Sequence, residues 1–96
     1  MFKEIEPQKV QEMQEEGAVN VVDIRDENSY SMGHIPNSVS LNETNVKEYI
    51  ESTDKEKPLV VCCYHGNSSR GAAEYFSQQG FKEVYSMTGG FAAWPA

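Results

Sequence analysis

Two apolar runs constrain this chain more than any other feature. Val19 to Ile24 and the stretch Lys57-Pro58-Leu59-Val60-Val61-Cys62-Cys63 are rich in valine, isoleucine and leucine. Neither shows the strict polar–apolar alternation of a strand with one wet face. Near-continuous apolar strands of this length belong to sheets covered on both sides, and such sheets are usually parallel. Parallel neighbours need long crossovers, which the amphipathic segments between the runs supply.

The remaining elements fit the same plan. Phe2 to Ile5 reads as a short edge strand. Pro7 suits the first turn of a helix that Gly17 stops, with Val10 and Met13 on its apolar stripe. Asp26 or Asn28 is placed to cap a short helix ending near Gly33. Val39 to Leu41 is a third strand. Asn45 followed by Glu48 resembles a capping box, opening a helix that carries Val46, Tyr49 and Ile50 to about Ser52. Ala72, Ala73 and Phe76 recur at helical spacing before Gly80. Val84-Tyr85-Ser86 is a last strand, and Gly89-Gly90 turns the chain into a final helical turn bearing Phe91 and Trp94. Strand, loop, helix, strand is the repeating unit, which predicts an α/β fold, and 96 residues suit a single domain spanning 1–96.

Charge narrows the function. Eight basic residues against fifteen acidic ones give a net charge of -7, which disfavours nucleic acid and anionic membranes as partners. No stretch is apolar and long enough to span a membrane, and the first residues lack the charged start and apolar run of a secretion signal. A cytoplasmic location with both cysteines reduced is the expectation. The sixteen residues between Lys57 and Glu74 contain no Asp or Glu, where the chain average would put about two or three. A buried strand excludes charge in any case; a loop that must receive an anion would exclude it as well.

That acid-free window ends in Cys63-Tyr64-His65-Gly66-Asn67-Ser68-Ser69-Arg70, where the central strand hands over to a helix. In open parallel sheets the working site lies beyond the carboxyl ends of the strands. A cysteine is a nucleophile only as thiolate. A tight loop ahead of a helix aims several backbone N–H groups inward, and the helix adds the positive end of its dipole. Both favour the ionised sulfur, and both suit an anionic substrate. Gly66 gives the loop freedom, while Asn67, Ser68 and Ser69 can brace the turn or cap the helix. Adjacent strand residues face opposite ways, so Cys62 is expected in the core and Cys63 in the loop, as nucleophile. The spacing is wrong for a thioredoxin-type pair. No second pair completes a metal site, so neither metal nor other cofactor is expected.

These residues resemble the single-domain rhodanese family, the small thiosulfate sulfurtransferases above all. Residues 21–41 are similar to the family's first signature, "VVCCYHGNSSRGA" to its active-site strand and loop, and residues 84–94 to its closing segment. The resemblance implies a rhodanese-like central parallel sheet of about five strands with helices on both faces. It also implies covalent sulfur transfer. Cys63, at the motif's cysteine, would take the outer sulfur of thiosulfate as a persulfide and release sulfite. Cyanide or a cellular thiol, a thioredoxin-like protein among the candidates, would then remove that sulfur. Residues 64–70 would bind the substrate, with His65 adding positive charge, and Asp23, Arg25 and His34 would support the loop. Asp23 and Arg25, two apart at a strand end, can pair with each other.

Three features depart from the broader family. Many rhodaneses carry Arg as the sixth loop residue, where this chain has Ser68. Arg70 lies two residues later, facing either the site or the surface. Relatives usually continue past Trp94 as a longer helix, whereas two residues follow it here. A cysteine phosphatase, which shares the fold, would need five residues between Cys and Arg; that spacing from Cys63 falls on Ser69. Two further functions are compatible with the same residues: a non-catalytic binding module, and a persulfide carrier served by a protein donor. Gly89 and Gly90 read as a turn, and Trp94, Phe91, Tyr75 and Phe76 as core and cover.

Overall fold

A computed structural model describes residues 1–95. In chain order the elements are β1 Lys3–Ile5, α1 Pro7–Glu15, β2 Asn20–Asp23, α2 Glu27–Met32, β3 Val39–Ser40, α3 Val46–Ser52, β4 Leu59–Cys62, α4 Ser68–Gln78, β5 Val84–Met87 and a 3-10 turn at Phe91–Ala93. The five strands form one sheet in the order β1-β5-β4-β2-β3, with every neighbouring pair parallel.

The two apolar runs become the adjacent central strands β4 and β2, with Val61 beside Val22 and Cys62 beside Asp23. Alternation along them builds two cores. Val22, Leu59, Val61 and Val84 pack with Ile50 of α3 and with Ala73 and Phe76 of α4. Val21, Val60, Cys62 and Met87 pack with Val10 of α1, Ile35, and the half-buried Phe91 and Trp94. Fully burying each large side chain contributes about 1.5–3 kcal/mol, so a strand that feeds both cores stabilises the fold twice over. Cys62 and Val61 therefore face opposite layers, as the alternation requires.

Strands β2 and β4 are neighbours whose onward connections leave in opposite directions, to β3 on one side and β5 on the other. That divergence opens a crevice at their carboxyl ends. The segments following β2 and β4 meet there.

Local chemistry matches the sequence expectation at most boundaries. Asp26 caps α2, its carboxylate accepting from the Ser29 N–H at 3.1 Å. Asn45 does not cap α3 with its side chain. Its amide oxygen instead accepts from the Asn42 N–H at 2.8 Å, and its amide nitrogen donates to the Ser40 carbonyl. Asn42 does the turn-making, accepting from the N–H groups of Thr44 and Asn45. The Asn45 side chain is thus engaged by the turn ahead of α3 and unavailable to the N–H groups of the helix's first turn. Tyr75 is exposed rather than part of the core, because it neighbours Phe76, which takes the inward face of α4. No helix among the described residues is long and apolar enough to cross a membrane.

Candidate active site

Cys63 is the first residue after β4, and only 2% of its surface is exposed. Its Sγ accepts the Gly66 N–H at 3.1 Å and the Ser69 N–H at 3.3 Å. Ser69 is the second residue of α4, so the sulfur itself occupies the place of a helix N-cap. Asn67, which flanks the helix, makes no side-chain cap. Burial works against the thiolate and is the largest single influence on it. The Ser69 hydroxyl and the backbone N–H groups of Ser69, Gly66 and His65 oppose that influence, and together they bring the Cys63 pKa below the ordinary thiol range. Cys62 has no such partners. It is wholly buried, its Sγ pointing to the Cys63 carbonyl at 3.6 Å. Burial, reinforced by the charge of Asp23, pushes its thiol up to about 12. Two adjacent cysteines thus have opposite chemistry because the strand's alternation gives one to the core and the other to the loop.

Asp23 and Arg25 form a buried pair, Asp23 at 0% exposure and Arg25 at 7%. Arg25 Nε donates to both carboxylate oxygens at 3.1 and 3.0 Å, and Nη2 donates to Oδ2 at 2.8 Å. The same Nη2 donates to the Gly33 carbonyl at 2.7 Å. The guanidinium lies over the Phe91 ring, 4.2 Å from its centroid, a favourable cation–π geometry. Hydrogen bonding to Asp23 raises the Arg25 pKa against the effect of burial. The pair therefore ties the end of β2 to Gly33 and to Phe91 of the closing segment.

The other sequence-expected residues take distinct places. Tyr64 is half-exposed, and its hydroxyl donates to the Asp26 carboxylate, tying the loop to the start of α2. That contact brings a carboxylate to the rim of a loop that holds none in sequence. Hydrogen bonds from Ser29 keep Asp26 below the usual carboxylate range, so it is an anion there. Arg70 Nε donates to the Gly66 carbonyl at 3.3 Å and Nη2 to Asn67 Oδ1 at 2.9 Å. Its guanidinium clips the loop from outside, unlike the arginine of a phosphatase loop. His65, Asn67 and Ser68 are exposed on the loop. His34 stacks on Tyr30 at 3.8 Å between centroids, and its Nδ1 meets the Tyr30 carbonyl. It braces α2, with no hydrogen bond to the loop.

The closing segment does more than turn. The Phe91 N–H donates to the Cys63 carbonyl at 2.7 Å and the Ala92 N–H to the Tyr64 carbonyl at 3.1 Å. Gly90 has φ 63° and ψ -163°, a region open essentially to glycine alone. A Cβ there would stand 2.5 Å from the Cys63 and Tyr64 carbonyl oxygens. Gly66, at φ 91°, faces this segment, and a Cβ on it would stand 2.8 Å from the Gly89 nitrogen. The glycine pair was visible in the sequence as a turn; its contact with a loop more than twenty residues earlier was not. Gly90→Ala is accordingly expected to cost about 1–3 kcal/mol from backbone strain alone, with the clash adding to it. It also pulls the two carbonyl clamps off the loop. Urea unfolding and the pH dependence of Cys63 alkylation read the two effects, and an unchanged midpoint with an unchanged profile would refute this account.

A loop cysteine whose sulfur accepts main-chain N–H groups at the end of a central parallel strand defines the class. The chain belongs to the rhodanese family: the rhodanese-like domain matches residues 6–96. It is 52% identical over 95 residues to the thiosulfate sulfurtransferase GlpE of Ectopseudomonas mendocina, covering 99% of this chain and 86% of that protein. Identity to GlpE of Pseudomonas aeruginosa strain PAO1 is 50% over 93 residues, covering 97% and 84%. Among solved structures, a rhodanese-related protein of Thermoplasma volcanium superposes with a TM-score of 0.81 at 29% identity, over 97% of this chain and 90% of that one.

Proposed function

We propose that this chain is a thiosulfate sulfurtransferase in which Cys63 carries the sulfur between donor and acceptor. The observation that bears most weight is the set of N–H donors from Gly66 and Ser69 on the Cys63 sulfur. Support also comes from the GlpE relatives, at about half identity over nearly the whole chain.

The chemistry follows from that geometry. The Cys63 thiolate attacks the outer sulfur of thiosulfate, forming a new S–S bond. The bond from that outer sulfur to the sulfonate sulfur breaks, and its electron pair leaves with sulfite. The persulfide left on Cys63 is an anion, and the donors that held the thiolate are positioned to hold it too. Cyanide, or the thiolate of an acceptor, attacks the outer sulfur and restores the Cys63 thiolate. Two displacements through a covalent intermediate give ping-pong kinetics. A thiol that ionises below the ordinary range depends less on a general base at the first step, and whenever Cys63 enters as thiolate no base is needed. Exposed His65 and the first-turn donors of α4 offer positive potential to the incoming dianion and the departing sulfite. The acceptor class we favour is a small or protein thiol in a reducing compartment, the cytoplasm, consistent with two free cysteines.

Incubation with thiosulfate followed by intact mass measurement tests the proposal. The expected result is a gain of one sulfur atom per chain, removed by cyanide with formation of thiocyanate. A chain that stays unmodified at saturating thiosulfate would overturn it.

A further inference from the structure

Two grooves meet past the carboxyl ends of β2 and β3, on the side of the sheet that α3 and α4 cover. The first, of about 260 Å³, has a floor of Leu41 and Phe76 and walls of Ile24, Val46, Ala72 and Tyr75. Tyr75 leaves 46% of its surface in solvent. The sulfur-transfer steps use none of these side chains. The second groove shares Ile24, Leu41, Asn42 and Glu43 with the first and continues along Arg25, Asp26 and Glu27. Its charge is lopsided. Asp26, Glu27 and Glu43 are exposed, while Arg25 is buried against Asp23. Lys47, an exposed cation beside Val46, shares α3 with the exposed Glu48 and Glu51.

Both grooves lead to the nucleophile. The Ile24 N–H donates to the Cys62 carbonyl at 3.0 Å. Ala72 lies one turn along α4 from Ser69, whose N–H reaches the Cys63 sulfur. Tyr64, next to Cys63, bonds Asp26 at the edge of the acidic groove. Thiosulfate is too small to need such a surface, so the grooves suit the second half-reaction, when the acceptor arrives. We propose that they dock a sulfur-accepting protein, which inserts an apolar side chain flanked by lysine or arginine while its nearby thiol discharges Cys63. This rests on the reading of Cys63 as a sulfur carrier. The apolar groove seats the anchor, and the acidic edge selects its basic neighbours and speeds encounter. Helix α4 rises about 1.5 Å per residue, so Tyr75 stands about 9 Å along it from Ser69. An extended segment of about three residues covers that distance. The partner's thiolate attacks the outer sulfur of the Cys63 persulfide and forms a new S–S bond. The bond from Cys63 to that sulfur breaks, its electron pair stays on Cys63 as thiolate, and the partner leaves as a persulfide.

The probes are two end-blocked peptides, each with a cysteine three residues before a leucine, one flanked by lysines and the other by glutamates. The sulfur-loaded chain, freed of thiosulfate, is mixed with each, and its discharge is followed by intact mass. Comparing variants with the parent cancels the intrinsic reactivity of the peptide thiol. Glu43→Lys is expected to slow discharge by the lysine peptide about twofold to fivefold and to speed discharge by the glutamate peptide. Tyr75→Ala should slow the lysine peptide about threefold to tenfold, with no effect once serine replaces its leucine. Both variants should discharge to 2-mercaptoethanol at the parent rate. Added salt should erase the preference for lysine. The lysine peptide with serine in place of cysteine reports docking without sulfur chemistry: it should shift the amide resonances of Val46, Ala72 and Tyr75 saturably. Discharge that ignores both substitutions, or resonances that stay in place, would overturn the docking surface while sulfur transfer stands. A parent dimer that Tyr75→Ala dissociates would give the groove to a second copy and overturn it as well. A chain that never loads sulfur would remove the carrier reading and the acceptor role with it, leaving the resonance shifts to decide docking alone.

Discussion

Cys63→Ala is expected to abolish sulfur transfer, lowering turnover by more than about 1,000-fold, while Cys62→Ala leaves it within a few-fold of the parent. The difference rests on where the two sulfurs lie. Cys63 faces backbone donors at 3.1 and 3.3 Å, whereas Cys62 is buried with its thiol pushed up to about 12. Losing the Cys62 sulfur from the core costs stability, about 1 kcal/mol, and no chemistry. The pH dependence carries a definite sign. Lowering the Cys63 pKa extends the thiolate toward acid, so transfer should stay level from the alkaline side down past the ordinary thiol range. It should fall only as pH drops through the lowered value. Intact mass after thiosulfate treatment, run on both variants, decides the assignment. An adduct that survives Cys63→Ala, or vanishes in Cys62→Ala with the fold intact, would assign the chemistry to the wrong sulfur here.

The largest stability loss is expected from Asp23→Ala. It leaves the Arg25 guanidinium at 7% exposure without its carboxylate. Breaking a buried pair by removing one partner costs about 3–5 kcal/mol, a large share of the about 5–15 kcal/mol that holds a domain together. Removing both charges in Asp23→Leu/Arg25→Met should cost less than Asp23→Ala alone, because no orphan charge remains. The urea midpoint measures each variant. A single-variant loss below about 1 kcal/mol would mean that water or another group satisfies Arg25 in place of Asp23. The effect should also reach the site, since Arg25 lies against Phe91, whose N–H grips the Cys63 carbonyl.

The sequence disclosed those parts of the fold that local physics governs. The two apolar runs announced central parallel strands because burial on both faces leaves a one-dimensional signature. The opposite fates of Cys62 and Cys63 followed from strand alternation alone. Asp26 announced the start of α2 because its side chain bonds an N–H three residues away. Asn45 misled because its amide turns back to the Asn42 N–H and the Ser40 carbonyl, partners that its spacing to Glu48 does not reveal. Contacts between distant segments left no such trace. The Ser69–Ser86 hydroxyl pair spans 17 residues and the Tyr64–Asp26 contact 38. Arg70 was ambiguous because helical spacing fixes its side of α4 but not the reach of a long side chain, which folds back onto Gly66 and Asn67.

The clamp made by the Phe91 and Ala92 N–H groups on the carbonyls of Cys63 and Tyr64 has a consequence for a chain emerging from the ribosome. Until β5 and the glycine turn have been synthesised and docked, these two clamps are missing, and the loop has only its own contacts, the N–H groups on its sulfur and the Arg70 clip, to curl it. The nucleophile's full set of braces is therefore assembled only with the last of the chain's folding.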